Sequence, residues 1–291
     1  MNILLLGSNG AIGSNFLKQH LGDKRIKKIY SVDNFNHNLK QKKLLNHKKH
    51  VFLKHNLEKS DNLKLNKKIK FDCVIFLAFN VHFKNFDENE FFIKNMKIFY
   101  NSLEIIRNLK IRKVIYASSF AVYGDLTSKK LNENSKTKAV DVYSDTKIRC
   151  EDLIKHLSKN NYKYIILRYS QVFGEDVFTN IIANFIKMKN KNQTVTLFGN
   201  GKQFRDFVSV FDVCEATLRS TFLKSKKNYI FNICSGVPVS ILYIAKKIGL
   251  NFNLEKSLKG PKKVVGSNKL ATKYLYWKPK YSLELFLNKN I

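Results

Sequence analysis

Short apolar runs alternate with longer segments of helical periodicity over the first 168 residues of the chain. Apolar or β-branched runs of this kind are typical of strands buried on both faces of a parallel sheet. The runs lie at 3–6, 29–32, 51–53, 73–77, 114–117 and 165–167. Helical periodicity lies between most of them, at about 11–20, 88–108 and 143–158. This alternation predicts an α/β fold built on a Rossmann-type, doubly wound parallel sheet.

The pattern changes after Arg168. Helical segments are predicted at about 179–190, 212–224, 240–249 and 282–288, and short strands near 195–198, 205–209 and 229–232. No Pro/Gly-rich linker separates the two parts. We therefore predict a Rossmann domain over 1–168, to which 211–235 return, and a smaller C-terminal α/β lobe over 169–210 and 236–291.

Composition is typical of a globular protein without a membrane anchor. The 291 residues are 44% hydrophobic, and no apolar run approaches the roughly 18 residues that a membrane span needs. The cysteines are widely spaced and never form Cys-x-x-Cys, so we expect buried, reduced thiols and a cytoplasmic enzyme. They are Cys73, Cys150, Cys214 and Cys234.

The net charge of +31 raises the question of a nucleic-acid partner. Only 7 of the 53 basic residues are arginine, whereas nucleic-acid surfaces usually depend on arginine for bidentate and stacking contacts. The lysines are also spread along the whole chain. We therefore expect no specific nucleic-acid partner and only a general attraction for anionic ligands. The seven histidines show no ligand spacing, and we assign no metal.

A glycine-rich loop directly follows the first predicted strand. Gly7, Gly10 and Gly13 allow a tight turn and a close approach of the backbone to a pyrophosphate, which the following helix, beginning with Ala11 and Ile12, would receive at its N-terminus. Asp33, followed by Asn34, ends the second strand, where a carboxylate can accept hydrogen bonds from ribose hydroxyls and would repel a 2′-phosphate. The loop therefore predicts a dinucleotide site that prefers NAD to NADP. A surface turn is the alternative interpretation of Asp33.

Tyr143 and Lys147 lie one helical turn apart, and Ser119 ends the strand that precedes them. The spacing alone is not specific, because this lysine-rich chain repeats it three times. The other pairs are Tyr243/Lys247, Tyr274/Lys278 and Tyr276/Lys280. None of these follows a matching serine at a strand end. We therefore predict that Ser119, Tyr143 and Lys147 are the catalytic residues.

Seven segments, in order, resemble the extended short-chain dehydrogenase/reductase family, in its NAD-dependent epimerase/dehydratase branch that acts on nucleotide sugars. The resemblance begins with the GxxGxxG spacing of residues 7–13 and covers nearly the whole chain. The other segments are 71–79, with Phe79 in place of a family Ala; Asn95 with Asn101; SSFAVYG at 118–124 with YSDTK at 143–147; LFGNGKQFRDFV at 197–208; FNICSG at 231–236; and LYWKP at 275–279.

The resemblance implies further site residues and partners. It adds Leu77, Ala78, Asn95, Ser118, Tyr143 and Lys147 to the cofactor-binding set, and it assigns Ser119, Gln171 and Arg205 to a nucleotide-diphosphate sugar bound by the smaller lobe. A salt bridge with Asp206 is the alternative role of Arg205. A second phosphate-binding arginine is missing, and Lys259, Lys262 or Lys263 could replace it. The resemblance also implies a homodimer built from the helices near 88–108 and 143–158.

The expected chemistry is a proton transfer coupled to a hydride transfer. A phenol with a pKa near 10 is a poor base at pH 7, so Lys147 and the positive nicotinamide ring would have to lower the pKa of Tyr143 by about three units, or roughly 4 kcal/mol. Tyr143 would then take the proton of a sugar hydroxyl while the carbon passes hydride to NAD. Ser119 would orient the same oxygen.

The two residues after Ser119 reduce the number of reactions that this site can be expected to catalyse. Dehydratases and decarboxylases of the family have an acidic residue at one or both of the next two positions, whereas this chain has Phe120 and Ala121. We therefore expect an epimerase that oxidises and re-reduces a sugar carbinol at C4. The alternatives are an NAD(P)H-dependent 4-ketoreductase and, from another class, a non-catalytic NAD-binding regulatory protein.

Overall fold

The computed structural model describes residues 1–34, 44, 46–66, 68–81, 87–125 and 130–290 of the 291-residue chain. We number the strands and helices of these ranges in chain order. The strands are β1 (Asn2–Leu6), β2 (Lys28–Asp33), β3 (His50–Lys54), β4 (Cys73–Phe76), β5 (Lys113–Ser119), β6 (Lys163–Tyr169), β7 (Gln171–Phe173), β8 (Val195–Phe198), β9 (Phe204–Ser209), β10 (Tyr229–Ile233), β11 (Pro238–Ser240), β12 (Phe252–Glu255) and β13 (Lys263–Val264). The helices are α1 (Ala11–His20), α2 (Glu88–Asn108), α3 (Val142–Asn161), α4 (Ile181–Asn190), α5 (Val210–Phe222), α6 (Ile241–Ile248), α7 (Lys269–Leu275) and α8 (Leu283–Asn290).

Seven parallel strands form the main sheet in the order β10-β6-β5-β4-β1-β2-β3. The chain therefore winds outward twice from the centre, and the order reverses between β1 and β4. Ligands of such sheets bind beyond the carboxyl ends of the strands at this reversal. The predicted doubly wound parallel sheet is confirmed.

Alternate residues of the strands supply two hydrophobic layers, one on each face of the sheet. Ile3 and Leu5 of β1 belong to the layer that includes residues of α1 and α5. Leu4 and Leu6 belong to the opposite layer, with residues of α2 and α3. Because both faces are covered, the strands are continuous apolar runs, which explains why the sequence reveals them clearly.

The C-terminal part of the chain builds a smaller α/β unit. A four-stranded sheet has the order β11-β9-β13, with β7 also paired to β9, and β12 pairs with β8. Its core contains residues of α4, α6 and α8 together with Leu197 and Phe207. In contrast, α5 packs on the main sheet, and β10 forms its edge beside β6. The exact division into domains at residue 168 stays a prediction.

The four cysteines are all buried and unpaired, as expected. Burial raises the pKa of Cys73 to about 12 and that of Cys150 to about 11, so these two thiols stay protonated at neutral pH. Within the described ranges, none of the helices is both long and apolar enough to cross a membrane.

Candidate active site

The glycine loop lies between β1 and α1, at the reversal of the strand order. Gly7 has φ +82°, a conformation that favours glycine, and a Cβ at this position would lie 2.6 Å from the backbone nitrogen of Ala78. A Cβ on Gly13 would collide with the backbone oxygen of Gly7 and lie 2.7 Å from Cα of Ser8. Side chains at either position would push the loop away from β4 or from α1.

Asp33 fastens this loop to the end of β2. Its carboxylate accepts the backbone N–H of Asn9 at 2.7 Å through Oδ2 and that of Asn34 at 2.8 Å through Oδ1. The half-buried carboxylate therefore faces the glycine loop and does not form an isolated surface turn. A carboxylate at this edge of the sheet is an acceptor for hydroxyl donors.

A cleft of about 300 Å³ opens at the carboxyl ends of β1 to β4. Its predicted lining residues are Gly7, Gly10, Asp33, Asn34, Leu77 and Ala78. The sequence-based prediction missed the others, which are His55, Asn56, Leu57, Glu58, Phe79, Asn80, Val81 and Ile98. Most of these directly follow β3 or β4, so their position after a strand end was a signal that could have found them.

Two asparagines of α2 hold the loops that form this cleft. Asn95 is fully buried; its Oδ1 accepts the backbone N–H of Asn80 at 2.7 Å, and its Nδ2 donates to the Asn80 carbonyl at 3.2 Å. Asn101 Nδ2 donates to the carbonyl of Leu57 at 2.7 Å. The amide of Asn95 thus supports the wall of the cleft, and its direct contact with a cofactor stays a prediction.

Tyr143 lies in the first turn of α3, placed there by a capping box. The Asp141 carboxylate accepts the backbone N–H of Ser144 at 2.7 Å, and the Ser144 hydroxyl accepts the N–H of Asp141 at 3.1 Å. This cap starts the helix at Val142 and points Tyr143 toward the end of β5. There the phenol lies near the Ser119 hydroxyl, which acts to lower its pKa, so the fold brings two of the predicted catalytic residues together.

Lys147 follows one turn later and reaches back under the same strand end. It is 4% exposed, and its ammonium donates to the Ala117 carbonyl at 2.9 Å. Nζ also lies 3.8 Å from the centre of the Phe79 ring. Burial lowers the pKa of Lys147 to about 8, so the side chain is a cation at neutral pH and loses its proton above that value.

The protonation of Tyr143 differs from the sequence-based expectation. In the chain by itself, burial raises the pKa of the phenol, and the neighbouring Ser119 hydroxyl offsets this only in part. Tyr143 is therefore neutral at pH 7. A lowered pKa requires a further positive charge beside the phenol, beyond the lysine one turn away.

Ser118, predicted to bind the cofactor, has a partner inside the protein. Its hydroxyl donates to Glu151 Oε1 at 2.6 Å, and Glu151 also accepts from Arg168 at 2.9 Å through Nε and at 2.6 Å through Nη2. The group joins β5, α3 and β6 beneath the catalytic residues. Contact between Ser118 and a cofactor stays a prediction.

Arg205 and Gln171 lie on the adjacent strands β9 and β7 of the smaller unit. Gln171 is exposed and pairs with Phe207, two residues from Arg205. The Arg205 guanidinium donates to the carbonyls of Phe204 at 3.0 Å and Pro261 at 2.9 Å. Burial lowers its pKa, yet among the described residues no carboxylate forms an ion pair with it. A desolvated arginine with only carbonyl partners can still bind an anion.

Asp206 is not the partner of Arg205. Its buried carboxylate accepts the N–H groups of Ser235 at 2.7 Å, Gly236 at 2.9 Å and Gly266 at 3.2 Å. The salt bridge considered from the sequence is therefore absent, and Asp206 joins β9 to two neighbouring loops.

The lysine-rich segment considered for the second phosphate contact runs beside Arg205. β13 pairs with β9 so that Lys263 lies opposite Phe204 and Val264 opposite Arg205. The Lys259 ammonium lies 4.2 Å from the centre of the Phe198 ring. The fold thus brings these lysines to the strand that carries the arginine, and their contact with a phosphate stays a prediction.

A family model described as the NAD dependent epimerase/dehydratase family matches residues 3–234 of this chain. The match includes the glycine loop, Asp33 and all three predicted catalytic residues. The chain belongs to this family. The resemblance inferred from the sequence motifs is therefore confirmed, and the protein is an NAD-dependent enzyme.

Individual members of the family are similar to this chain over most of its length. A putative UDP-glucose 4-epimerase of Methanocaldococcus jannaschii is 33% identical over 250 residues, which are 82% of this chain and 78% of that protein. A dTDP-D-glucose 4,6-dehydratase of Dictyostelium discoideum is 30% identical over 84% of this chain and 61% of its own length. UDP-glucuronic acid 4-epimerase of Bacillus cereus, solved with UDP-glucuronic acid and NAD, has a TM-score of 0.84 and 26% identity, covering 99% of this chain and 97% of that chain.

The residues at the end of β1 fit the cofactor of the family. α1 begins at Ala11 after an extended Gly10 that offers no side-chain cap, and its first turn contains no acidic residue. Its free backbone N–H groups and positive dipole end therefore suit a pyrophosphate. Gly7, Gly10 and Ala11 would hold the phosphates, and Asp33 would accept from the adenosine ribose.

Replacing Asp33 with alanine should weaken NAD binding by about 10- to 100-fold, because hydrogen bonds to a charged acceptor contribute roughly 1.5–3 kcal/mol. NADP should lose less affinity than NAD, since its phosphate no longer meets a carboxylate. Fluorescence titration with NADH and NADPH measures both affinities. Asp33→Asn is the matched control, because it keeps an acceptor for Asn9 but removes the charge. An equal loss for both dinucleotides would contradict the assignment of Asp33.

Proposed function

We propose that the protein is a nucleotide-sugar epimerase that inverts a carbinol carbon, at C4 of the sugar. The observation that carries this proposal is the placement of Tyr143 near Ser119 at the end of β5, with the Lys147 cation one turn below and no carboxylate on the two residues that follow Ser119. This set can move one proton at one hydroxyl. It has no second acid or base for a neighbouring carbon.

Tyr143 carries the proton in both half-reactions. Its phenol oxygen takes the proton of the substrate hydroxyl on oxidation and returns it on reduction, while Ser119 donates to the same substrate oxygen and orients it. The bound NAD supplies the hydride acceptor and a positive charge next to the phenol. Lys147 adds a fixed cation below pH 8 and, through its hydrogen bond to Ala117, stays tied to the strand that carries Ser119.

Phe120 argues against an elimination. Its ring is buried in an apolar cluster with Tyr123 and Cys234, and the two aromatic rings meet edge to face at 5.4 Å. A Cβ on Gly266 would lie 2.6 Å from Cε2 of Phe120, so the ring packs directly against the backbone of Gly266. Ala121, the next residue, has no group that exchanges protons. Dehydration at a neighbouring carbon would therefore lack its acid/base group.

Arg205 supports a substrate with a diphosphate. Its guanidinium is desolvated, has no carboxylate partner among the described residues and lies beside the lysines of 259–263. The relatives agree with this class, because both 4-epimerases described above carry a UDP-sugar in their names. The chain differs from its dehydratase relative in the expected reaction, for the reason given by Phe120 and Ala121.

Incubation with a panel of UDP-, GDP-, CDP- and dTDP-sugars tests the proposal. Product stereochemistry is followed by NMR and net NADH by absorbance at the same time. Inversion at C4 without net NADH change is the expected result. Stoichiometric formation of NAD(P)H together with a 4-ketosugar would instead identify a 4-ketoreductase running in reverse, and a 4-keto-6-deoxy product would identify a dehydratase. Arg205→Met serves as the binding control, since it should raise KM for the nucleotide sugar.

We also propose a homodimer through α2 and α3, which pack side by side. Ile93 and Tyr100, seven residues apart on α2, are each 50% exposed, and Leu157 on α3 is 37% exposed. Apolar side chains with this spacing share one face of a helix. Light scattering should give twice the mass of the chain, and Ile93→Lys should shift the equilibrium toward the monomer. A monomer at micromolar concentration would contradict this assembly.

A further inference from the structure

The Lys147 ammonium is held mainly between aromatic rings. Nζ lies 3.8 Å from the centre of the Phe79 ring and 5.1 Å from that of Tyr116. Its hydrogen bonds go to the Ala117 carbonyl at 2.9 Å and the Tyr116 hydroxyl at 3.5 Å. A cation over the face of a ring is attracted by the negative charge of that face, and more strongly when both are desolvated.

Nearby anions do not provide the main stabilisation of the Lys147 cation. Glu151 is the acidic group that acts on Lys147, and both of its oxygens already accept from Arg168. Burial raises the pKa of Tyr116, of Cys150 and of Tyr143, so these three groups stay neutral at pH 7. The rings and the Ala117 carbonyl therefore provide the close contacts that favour the charged form of Lys147.

Phe79 connects this cation to the rest of the site. It lines the cleft that contains Gly7 and Asp33. Its ring meets that of Tyr143 edge to face, at 5.6 Å and 90°, and that of Phe91 at 6.0 Å and 66°. One side chain thus contacts both helical catalytic residues and forms part of the wall of the cofactor cleft.

We propose that Phe79 is a positioning residue, which holds the Lys147 ammonium on its ring face and keeps Lys147 and Tyr143 side by side at the end of the cleft. This role rests on the proposed function of Tyr143 and Lys147. The aromatic face of Phe79, and not only the volume of its side chain, is needed to hold Lys147 in place. The ring contacts the ammonium on one face and the edge of the Tyr143 ring beside it.

Phe79→Leu and Phe79→Tyr distinguish the effect of the aromatic ring from the effect of side-chain volume. Leucine keeps the site apolar but removes the π face, so the pKa of Lys147 should fall below its present value by about one unit. The alkaline limb of the kcat/KM profile should shift by the same amount, so kcat/KM should fall about twofold at pH 7 and nearly tenfold at pH 9. Tyrosine keeps the ring and should remain within about twofold of the parent. Competitive labelling of lysines at a series of pH values, read by mass spectrometry, measures the pKa of Lys147 directly.

Phe91→Leu is the matched control, because Phe91 packs on Phe79 without a ring contact to Lys147. It should lower stability but leave the labelling profile of Lys147 unchanged. Equal Lys147 profiles for Phe79→Leu and the parent would overturn the proposal, even if the enzyme turns over. Absence of turnover on every nucleotide sugar would instead contradict the proposed function, and the labelling result would still decide the role of Phe79.

Discussion

Replacing Tyr143 with phenylalanine should lower turnover by about a thousandfold and leave NAD binding within about twofold of the parent, since a general acid/base typically contributes 10²–10⁴-fold. The substitution removes only the phenol hydroxyl, which lies near Ser119. The ring stays, and with it the edge-to-face packing against Phe79. Lys147 keeps its hydrogen bond to Ala117. The measurements are steady-state turnover of the nucleotide sugar identified by the panel and titration with NADH.

The chain contains its own control for this experiment. Tyr243 and Lys247 have the same spacing on α6, but Tyr243 is 41% exposed and α6 belongs to the smaller unit. Tyr243→Phe should leave both turnover and cofactor affinity unchanged. Retention of parental turnover by Tyr143→Phe would show that another group moves the proton, and a large loss of NADH affinity would show that the phenol acts on the cofactor.

The main sheet could be predicted because its signal is local. Each central strand is buried on both faces, so the pattern is a continuous apolar run that needs no knowledge of its neighbours. The helices 11–20 and 88–108 match α1 and α2 at both ends. The strands β7, β11, β12 and β13 were not predicted. They are two to four residues long and only partly buried, and they form because tertiary packing places a partner beside them.

The site shows the same division between local and tertiary signals. The glycine loop and the pair Tyr143 and Lys147 are short motifs whose geometry follows from one turn or one helix. The contact between Phe79 and Lys147 joins residues 68 positions apart, and no periodicity connects them. The sequence did mark Phe79 as a departure from the family pattern, but only the fold, which brings Lys147 of α3 to the segment after β4, shows which side chain Phe79 contacts.

The raised pKa of Tyr143 has a similar origin. The motif supplies a cation one turn away, which favours phenolate, but it does not specify how deeply the phenol is buried. Desolvation disfavours the charged form and is the larger effect in the chain alone. Spacing can therefore identify the acid/base residue, whereas its protonation at pH 7 depends on the burial that the fold imposes.

Replacing Glu151 with glutamine should lower the free energy of unfolding by about 3–5 kcal/mol at pH 7, because it leaves the buried Arg168 guanidinium without its counter-charge. Glu151 is 1% exposed and Arg168 is 2% exposed. Burial alone would raise the pKa of the Glu151 carboxyl, but Arg168 and the Ser118 hydroxyl outweigh this and hold the pKa below its usual value. The stabilisation is therefore present above the ordinary glutamate pKa and is lost as pH falls through the lowered value. Urea unfolding at a series of pH values measures it.

The exposed pair of Glu104 and Arg107 on α2 provides the comparison. Glu104→Gln should cost less than about 1 kcal/mol, because water screens a surface pair. The double variant Glu151→Leu with Arg168→Met should recover much of the loss, since it removes both buried charges together. A loss for Glu151→Gln no larger than that for Glu104→Gln would rule out the buried pair as a main support. Glu151 joins α3, which carries Tyr143 and Lys147, to β5, which ends at Ser119. Because this carboxylate holds the helix and the strand together, Glu151→Gln should also lower turnover.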